Sequence, residues 1–445
     1  MQAAFGQLKQ LGNHDEQAIH DFHTNASFAG RTENGVKELL KELAVRILRT
    51  LEDNGYEAYF VGGCVRDWLL GRTVHDIDIC TNAHPGDVMR LFPDHVPTGL
   101  QHGTVSVRLD GQMFEVTTYR VEGTYEDYRR PKEVRFVSDL HLDLERRDFT
   151  INAMAMDRFD RLRDPFGGRD DLRDRLIRAV GTAERRFRED ALRLLRAVRF
   201  AAQLDFSIEP VTLAAMEQTA PLLSHIAAER IREELHKIVD SAAPQKGIGL
   251  IVQTGLAGFS PLLDRLFRTS HEQAWRLVHL GTLNQKWALL MYAARFDPQE
   301  ARTLCLQLRM SKREAEAIAQ FVGLLAALRP DWDEPRDVEW GRLLLQAGWP
   351  VCMETDNLLQ ACWWKRKDRR SSRSLIAAYE SMPVKSLREL AVTGRDLQAA
   401  LERKPGEWIQ RLLMHLLEQT ALHGLPNTPE ALVEEARREV ARHEH

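Results

Sequence analysis

The chain has no uninterrupted apolar stretch near the roughly 18 residues that a membrane-spanning helix requires, so no function within a bilayer is expected. Its five cysteines (Cys64, Cys80, Cys305, Cys352 and Cys362) are odd in number, scattered and never arranged as CxxC. That spacing supports neither a disulfide framework nor a thiolate zinc site and leaves buried free thiols as the expectation. No repeat of fixed period and no low-complexity tract occurs. The N-terminal stretch MQAAFGQLKQLGNHDEQAIHDFHTN mixes acids, His and Gln where a secretory signal would need a basic start and an apolar block, so a cytoplasmic location is expected. Strong charge of one sign is missing as well, since the formal net charge is −4. That sum does not exclude a nucleic-acid partner, because binding depends on local basic surface.

With 445 residues, 44% of them hydrophobic, the chain is long enough for two to four domains. Residues 1–35 lack sustained periodicity and are expected to form a poorly ordered extension. The helix LLKELAVRILRTLEDNG follows and ends at Gly55, a natural C-cap. From there to about residue 176 the pattern is mixed, with AYFV, DIDIC, TVSVRL and FEVTTYR as strands and VRDWLLG and GDVMRLF as short helices. Asp110-Gly111 between two alternating segments signals a tight hairpin. Beyond Ile177 the β signals stop, and patterns such as AEAIAQFVGLLAALR and ALVEEARREVARHE predict helices alone. The expected fold is α+β, a mixed-sheet catalytic head followed by an all-helical remainder.

The chemistry concentrates in the head. In HDIDIC, the i, i+2 spacing of an extended segment puts Asp76 and Asp78 on one face and Ile77 and Ile79 on the other. Two adjacent carboxylates repel one another unless protonated or bridged by a cation, and their hard oxygens suit Mg²⁺. Alone, DxD is weak evidence. Upstream, FVGGCVRD sets Gly62 and Gly63 at a strand-to-helix junction, where bare backbone approaches phosphate closely. Arg66 in the first helical turn supplies a cation to the same phosphates or pairs with a nearby acid. Glu115, in the otherwise apolar and Thr-rich FEVTTYR, needs a partner; it either completes the metal site or belongs to a structural ion pair. In ERRDFTINAMAMD, Arg147 is a candidate for phosphate and Asp148 for a ribose hydroxyl, the alternative being a solvated charge cluster. Two metals roughly 3.5–4 Å apart would activate a 3′-hydroxyl and neutralise leaving pyrophosphate. No Ser/His/Asp or Cys/His signature stands out, and such a reaction requires none.

The segment RRFREDALRLLRAVRFAAQL predicts a helix whose core stripe is Ala191, Leu194, Leu195, Val198 and Ala202. Asp190, Arg193, Arg196 and Arg199 fan across its other side. They are either a solvated face with ion pairs or a base reader. In the second reading, Asp190 accepts from an exocyclic amine and Arg193 donates to an unprotonated ring nitrogen, an edge that cytosine and adenine share and that uracil and guanine lack. Arg196 and Arg199 would then stack on the base or reach the triphosphate.

Taken together, YFVGGCVRDWLLGR, DIDI, FEVTTYR, YEDYRRP, RRDFTINAMAMD, DPFGG and RFREDALRLLRAVRF resemble the bacterial class II CCA-adding enzymes, tRNA nucleotidyltransferases, over roughly residues 56–205. The resemblance implies a polymerase-β-like head (36–176), a helical neck for nucleobase selection (177–240), a body (241–328) and a tRNA-binding tail (329–445). It places metal ligands on Asp76 and Asp78, triphosphate contacts on Gly63, Arg66 and Arg147, and base selection on Glu189, Asp190, Arg193, Arg196 and Arg199. The implied cofactor is Mg²⁺; the implied partners are tRNA, CTP and ATP, with no obligate protein partner evident. The stretch Tyr125, Glu126, Asp127, Tyr128, Arg129, Arg130 and Pro131 resembles the family's flexible loop, shortened in relatives that add only CC, so full CCA addition is expected. CC-only addition, a poly(A) polymerase, which shares the head, and a non-catalytic tRNA-binding module are the competing readings. Beyond about residue 240 only helical character is shared. The cluster Trp363, Trp364, Lys365, Arg366, Lys367, Arg369 and Arg370 is either an RNA surface or a helix with core tryptophans and solvated charges.

Overall fold

The computed structural model describes residues 33–123, 125–126, 130–131, 134–329, 332, 337–363 and 370–443. The expected N-terminal extension therefore lies outside the described residues, save that helix α1 (Glu33–Asp53) already includes 33–35. Contacts divide the chain into two units, Met1–Ile226 and Ala227–His445. The division falls inside the segment 177–240 expected as a neck.

In the first unit, Leu43, Ala44, Ile47, Leu48 and Leu51 recur at helical spacing on α1 and are at most 3% exposed, the Leu and Ile side chains each contributing about 1.5–3 kcal/mol through burial. Gly55, at φ 87°, stops the helix. There follow β1 (Ala58–Val61), α2 (Gly63–Leu69), β2 (Asp78–Thr81), α3 (Pro85–Leu91), β3 (His95–Gly99), β4 (Thr104–Leu109) and β5 (Gln112–Thr118). Next are β6 (Arg120–Glu122), β7 (Tyr125–Glu126), β8 (Arg130–Pro131), β9 (Val134–Phe136), α4 (Leu140–Glu145), β10 (Ala155–Met156) and β11 (Leu162–Arg163). The unit closes with α5 (Gly168–Arg173), β12 (Leu176–Ile177), α6 (Ala183–Glu189), α7 (Leu192–Leu204), β13 (Ser207–Ile208) and α8 (Pro210–Thr219).

The main sheet has seven strands in the order β11-β10-β1-β2-β5-β4-β3. Its central pair, β2 with β5, is parallel, setting Asp78 opposite Glu115 and Ile79 opposite Val116. Ile79, Val105, Val107 and Val116 are fully buried, which fixes register, since a one-residue slip would expose them all. At the β4–β5 turn Asp110 and Gly111 both have positive φ, 48° and 81°, as a tight primed turn requires. Strand signals do not stop at Ile177: β13 pairs in parallel with β12. The expected flexible loop begins and ends on the two-residue strands β7 and β8, which pair with one another; Asp127, Tyr128 and Arg129 lie outside the described residues.

The described part of the second unit is helical: α9 (Ala228–Val239), α10 (Pro244–Thr254), α11 (Pro261–Ser270), α12 (Leu283–Ala293), α13 (Pro298–Gln307) and α14 (Lys312–Leu328). After these come α15 (Trp340–Cys362), α16 (Arg370–Ser381), α17 (Gly394–Leu401), α18 (Trp408–Leu422) and α19 (Pro429–His443). Capping boxes Thr282/Gln285, Asp297/Glu300, Ser311/Glu314 and Thr393/Asp396 start four of them by satisfying orphan N–H groups. Trp287, Trp340 and Trp363 fill its core at 1% exposure. Of the expected aromatic and basic cluster, Trp363 is thus a core residue, and 364–369 lie outside the described residues. His415, Glu435 and Glu439 come together between α18 and α19, but Arg442 lies 3.3 Å from Glu439 and Arg438 4.0 Å from Glu435; the group is an ion-pair staple. No helix among the described residues is long and apolar enough to cross a membrane.

Candidate active site

Strand β1 delivers the chain into Gly62, whose φ of 76° lies where a side chain is strained. A methyl group there would stand 3.2 Å from Arg147 Nη1 and 3.9 Å from Asp78 Oδ2. Gly62, Asp78 and Arg147 thus border one space. Alternation holds across the acidic motif: Asp76 and Asp78 are exposed, Ile77 and Ile79 buried, although regular pairing begins only at Asp78. Glu115, also exposed, is Asp78's register partner on β5. Asp78 is pushed up to about 6 by burial and then by repulsion from Glu115 and Asp76, against the pull of Arg147. Its side chain still meets solvent. The structure brings Asp76, Asp78, Glu115, Gly62 and Arg147 together.

Arg66 projects from α2 and donates to both carboxylate oxygens of Asp67, 3.0 and 2.9 Å, and to Asn152 Oδ1, 2.8 Å. The nearby-acid alternative raised for it is therefore realised in this conformation. Asp148 is 7% exposed. It accepts Arg196 Nε at 2.7 Å and Nη2 at 2.5 Å, Asn152 Nδ2 at 3.1 Å and the Phe149 N–H at 2.8 Å. Burial alone would raise it, but Arg196, Asn152 and Arg193 hold its carboxyl far below the usual carboxylate range. A solvated cluster it is not.

The single helix expected over RRFREDALRLLRAVRFAAQL is two. Asp190 leaves helical geometry at the end of α6, at φ −138° and ψ 105°, and its carboxylate accepts the Leu192 N–H at 3.1 Å. Such a local side-chain-to-backbone bond, two residues on, competes with helix continuation. A solvated arginine face does not form either. Arg193 and Arg199 are each 8% exposed, Arg193 donating to Glu189 Oε2 at 2.9 Å and to the Arg146 carbonyl at 2.9 Å. Arg199 lies 4.4 Å from the Phe200 ring, which Arg66 and Arg196 also approach, at 5.1 and 5.4 Å.

Three family models match in chain order: "Poly A polymerase head domain" over 58–178, "Probable RNA and SrmB- binding site of polymerase A" over 205–266, and "tRNA nucleotidyltransferase domain 2 putative" over 278–436. The CCA-adding enzyme of Geobacillus stearothermophilus is 41% identical over 83% of this chain and 90% of its own. The chain belongs to the CCA-adding enzyme family. The Enterococcus faecalis member is 37% identical over 89% of this chain and 95% of its own. The crystal structure of the Bacillus stearothermophilus CCA-adding enzyme in complex with CTP superposes with a TM-score of 0.79 at 34% identity, covering 91% of this chain and 98% of that one. The chain is accordingly a nucleotidyltransferase with a mixed-sheet head and a mostly helical remainder.

Against that family background, three residues near the site escaped the sequence reading. Asn152 bridges Arg66 and Asp148, Phe200 gathers three guanidinium groups, and Asp143, fully buried, holds Arg146 and Arg147. The signal for Asp143 was present: in DLERR, an Asp with Arg at i+3 and i+4 on a helix is an ion-pair spacing.

Proposed function

We propose that the protein adds C, C and A to the 3′ end of tRNA from CTP and ATP, without a nucleic-acid template, releasing pyrophosphate. The observation that carries this is the convergence of Asp78 and Arg147 on Gly62, with Glu115 opposite Asp78 on the neighbouring strand, in a member of the CCA-adding family. Asp76, Asp78 and Glu115 present hard oxygen donors and fit Mg²⁺, and Asp78, raised by burial and then by Glu115 and Asp76, is a carboxylate whose charged form a cation would favour. Bound there, Mg²⁺ would lower the pKa of the tRNA 3′-hydroxyl and neutralise charge on the departing pyrophosphate.

This chain's own residues hold the reactants. Gly62 and Gly63 let the triphosphate approach the backbone, with Arg147 and Arg66 as the cations beside it. Asp190 and Arg193 read the base, Glu189 orienting the Arg193 guanidinium through its 2.9 Å bond. Arg196, engaged with Asp148, orients that carboxylate toward ribose, and Arg199 packs on Phe200. A protein pocket that pairs with the amine-plus-ring-nitrogen edge admits C and A, and a rejected base leaves polar groups unsatisfied at about 1–3 kcal/mol each. The helical second unit is assigned to tRNA, and the setting to the cytoplasm.

Incubating tRNA that lacks its 3′ CCA with labelled CTP and ATP, singly and together, tests the proposal. Two C additions followed by one A are expected. Arrest after CC would point to the CC-only reading, and unlimited A tails without C would replace the proposal with poly(A) synthesis.

A further inference from the structure

We infer that Asp143 is a positioning residue that fixes the Arg147 guanidinium for nucleotide binding, an inference that rests on the reading of Arg147 as a triphosphate contact. Asp143 sits on the short helix α4, four residues before Arg147, and is fully buried. Its Oδ1 accepts Arg146 Nη2 at 2.8 Å, Arg146 Nε at 3.0 Å and the Arg120 N–H at 3.2 Å. Its Oδ2 accepts Arg147 Nη2 at 3.2 Å. Against the upward push of burial, those two guanidiniums and the Arg120 N–H hold the carboxyl below the usual range, so it is a permanent anion at neutral pH.

Arg147 itself is held from one side only. Its Nη2 is tied to Asp143, its Nε is buried with no hydrogen-bond partner among the described residues, and its Nη1 faces the space over Gly62. Without Asp143, the guanidinium would lose the carboxylate that anchors it among the described residues while remaining under the pull of Asp78, and would swing toward that acid. A guanidinium drawn onto the acidic pair both vacates the phosphate position and competes with the cation there. Arg146 shares the carboxylate through two hydrogen bonds, so removing Asp143 disturbs both guanidiniums, and a cycle with Arg147 isolates the part that runs through Arg147.

A double-mutant cycle on the full-length protein decides this, with Asp143→Asn, Arg147→Gln and the double variant compared by CTP titration in the presence of Mg²⁺ and by steady-state C addition. Loss of a charge-assisted hydrogen bond predicts that Asp143→Asn raises the KM and Kd for CTP about tenfold or more, with a smaller change in kcat and a fall in thermal midpoint that reports the broken buried pairs. In the Arg147→Gln background the same substitution should add nothing further. Should Asp143→Asn fail to fold, Asp143→Glu, which keeps the charge on a longer arm, enters the cycle and should show an intermediate KM. An unchanged KM, or effects that multiply in the double variant, would overturn the inference. Wild-type C addition reports separately on the proposed function, and direct CTP binding keeps the cycle readable whatever that assay gives.

Discussion

The two units bury charge in different ways. In the first, Asp143, Asp148, Arg193 and Arg199 are all 8% exposed or less, and Asp143, Asp148 and Arg193 are linked through Arg146, Arg147, Arg196 and Glu189 beside the acidic pair of β2 and β5. In the second, the buried cations Arg276 and Lys286 each have partners of their own. Arg276, 2% exposed, donates to the carbonyls of Ala361 and Cys362 at 2.9 and 2.8 Å, the orphan acceptors at the end of α15. Lys286 pairs with Asp240 at 2.5 Å. Desolvating a charge is costly in both places. A convergent, linked set marks a site, while isolated, capped charges mark fold construction.

The sharpest way to break that contrast is Asp148→Ala. Removing one partner of a buried pair normally costs 3–5 kcal/mol, and because Arg196 can regain some water the expected loss is about 3 kcal/mol, read by chemical denaturation, together with a large fall in C addition. The acid limb should change too. A carboxyl whose folded pKa is depressed contributes stability that is present above its unfolded value, near 3.9, and lost as pH falls further. Wild-type stability should therefore drop as pH falls below about 4, and the drop should be shallower in the variant; an unaltered acid limb would mean that Asp148 is not the arginine-held anion described.

A smaller effect is expected in the second unit. Arg276→Met keeps most of the volume but leaves two helix-end carbonyls without their donor, a loss of about 2 kcal/mol, with KM for CTP and ATP unchanged on folded protein. A raised KM would erase the distinction between the units.

How far the sequence could be read also differs along the chain. β1 and β4 have the bounds their alternation predicts, and Asp110-Gly111 turns as its dipeptide demands, because each is decided by neighbours in sequence. Asp76 and Asp78 were legible for the same reason. The two-residue strands β10 to β13 are too short to show a period, and the β1 partner of β10 and the β12–β13 pairing join segments far apart in the chain. The break at Asp190 was hidden because its flanks continue the helical pattern, while the Asp side chain bonds the Leu192 N–H and competes with helix continuation. The arginines of α7 look like a solvent face until Asp148, Glu189 and the Arg146 carbonyl, supplied from other elements, are placed against them. Asp143 had its i+3 and i+4 arginines in view, but nothing in sequence said that this helix would be buried.

The central claim is that Asp78 is part of the reacting site and not a solvated strand end. The most direct test is Asp78→Ala in single-turnover extension of a tRNA already ending in CC, with tRNA affinity and thermal midpoint measured on the same preparation. A fall in A addition of about a thousandfold or more is expected, with tRNA affinity and folding close to wild type. Turnover within a few-fold of wild type would contradict the account.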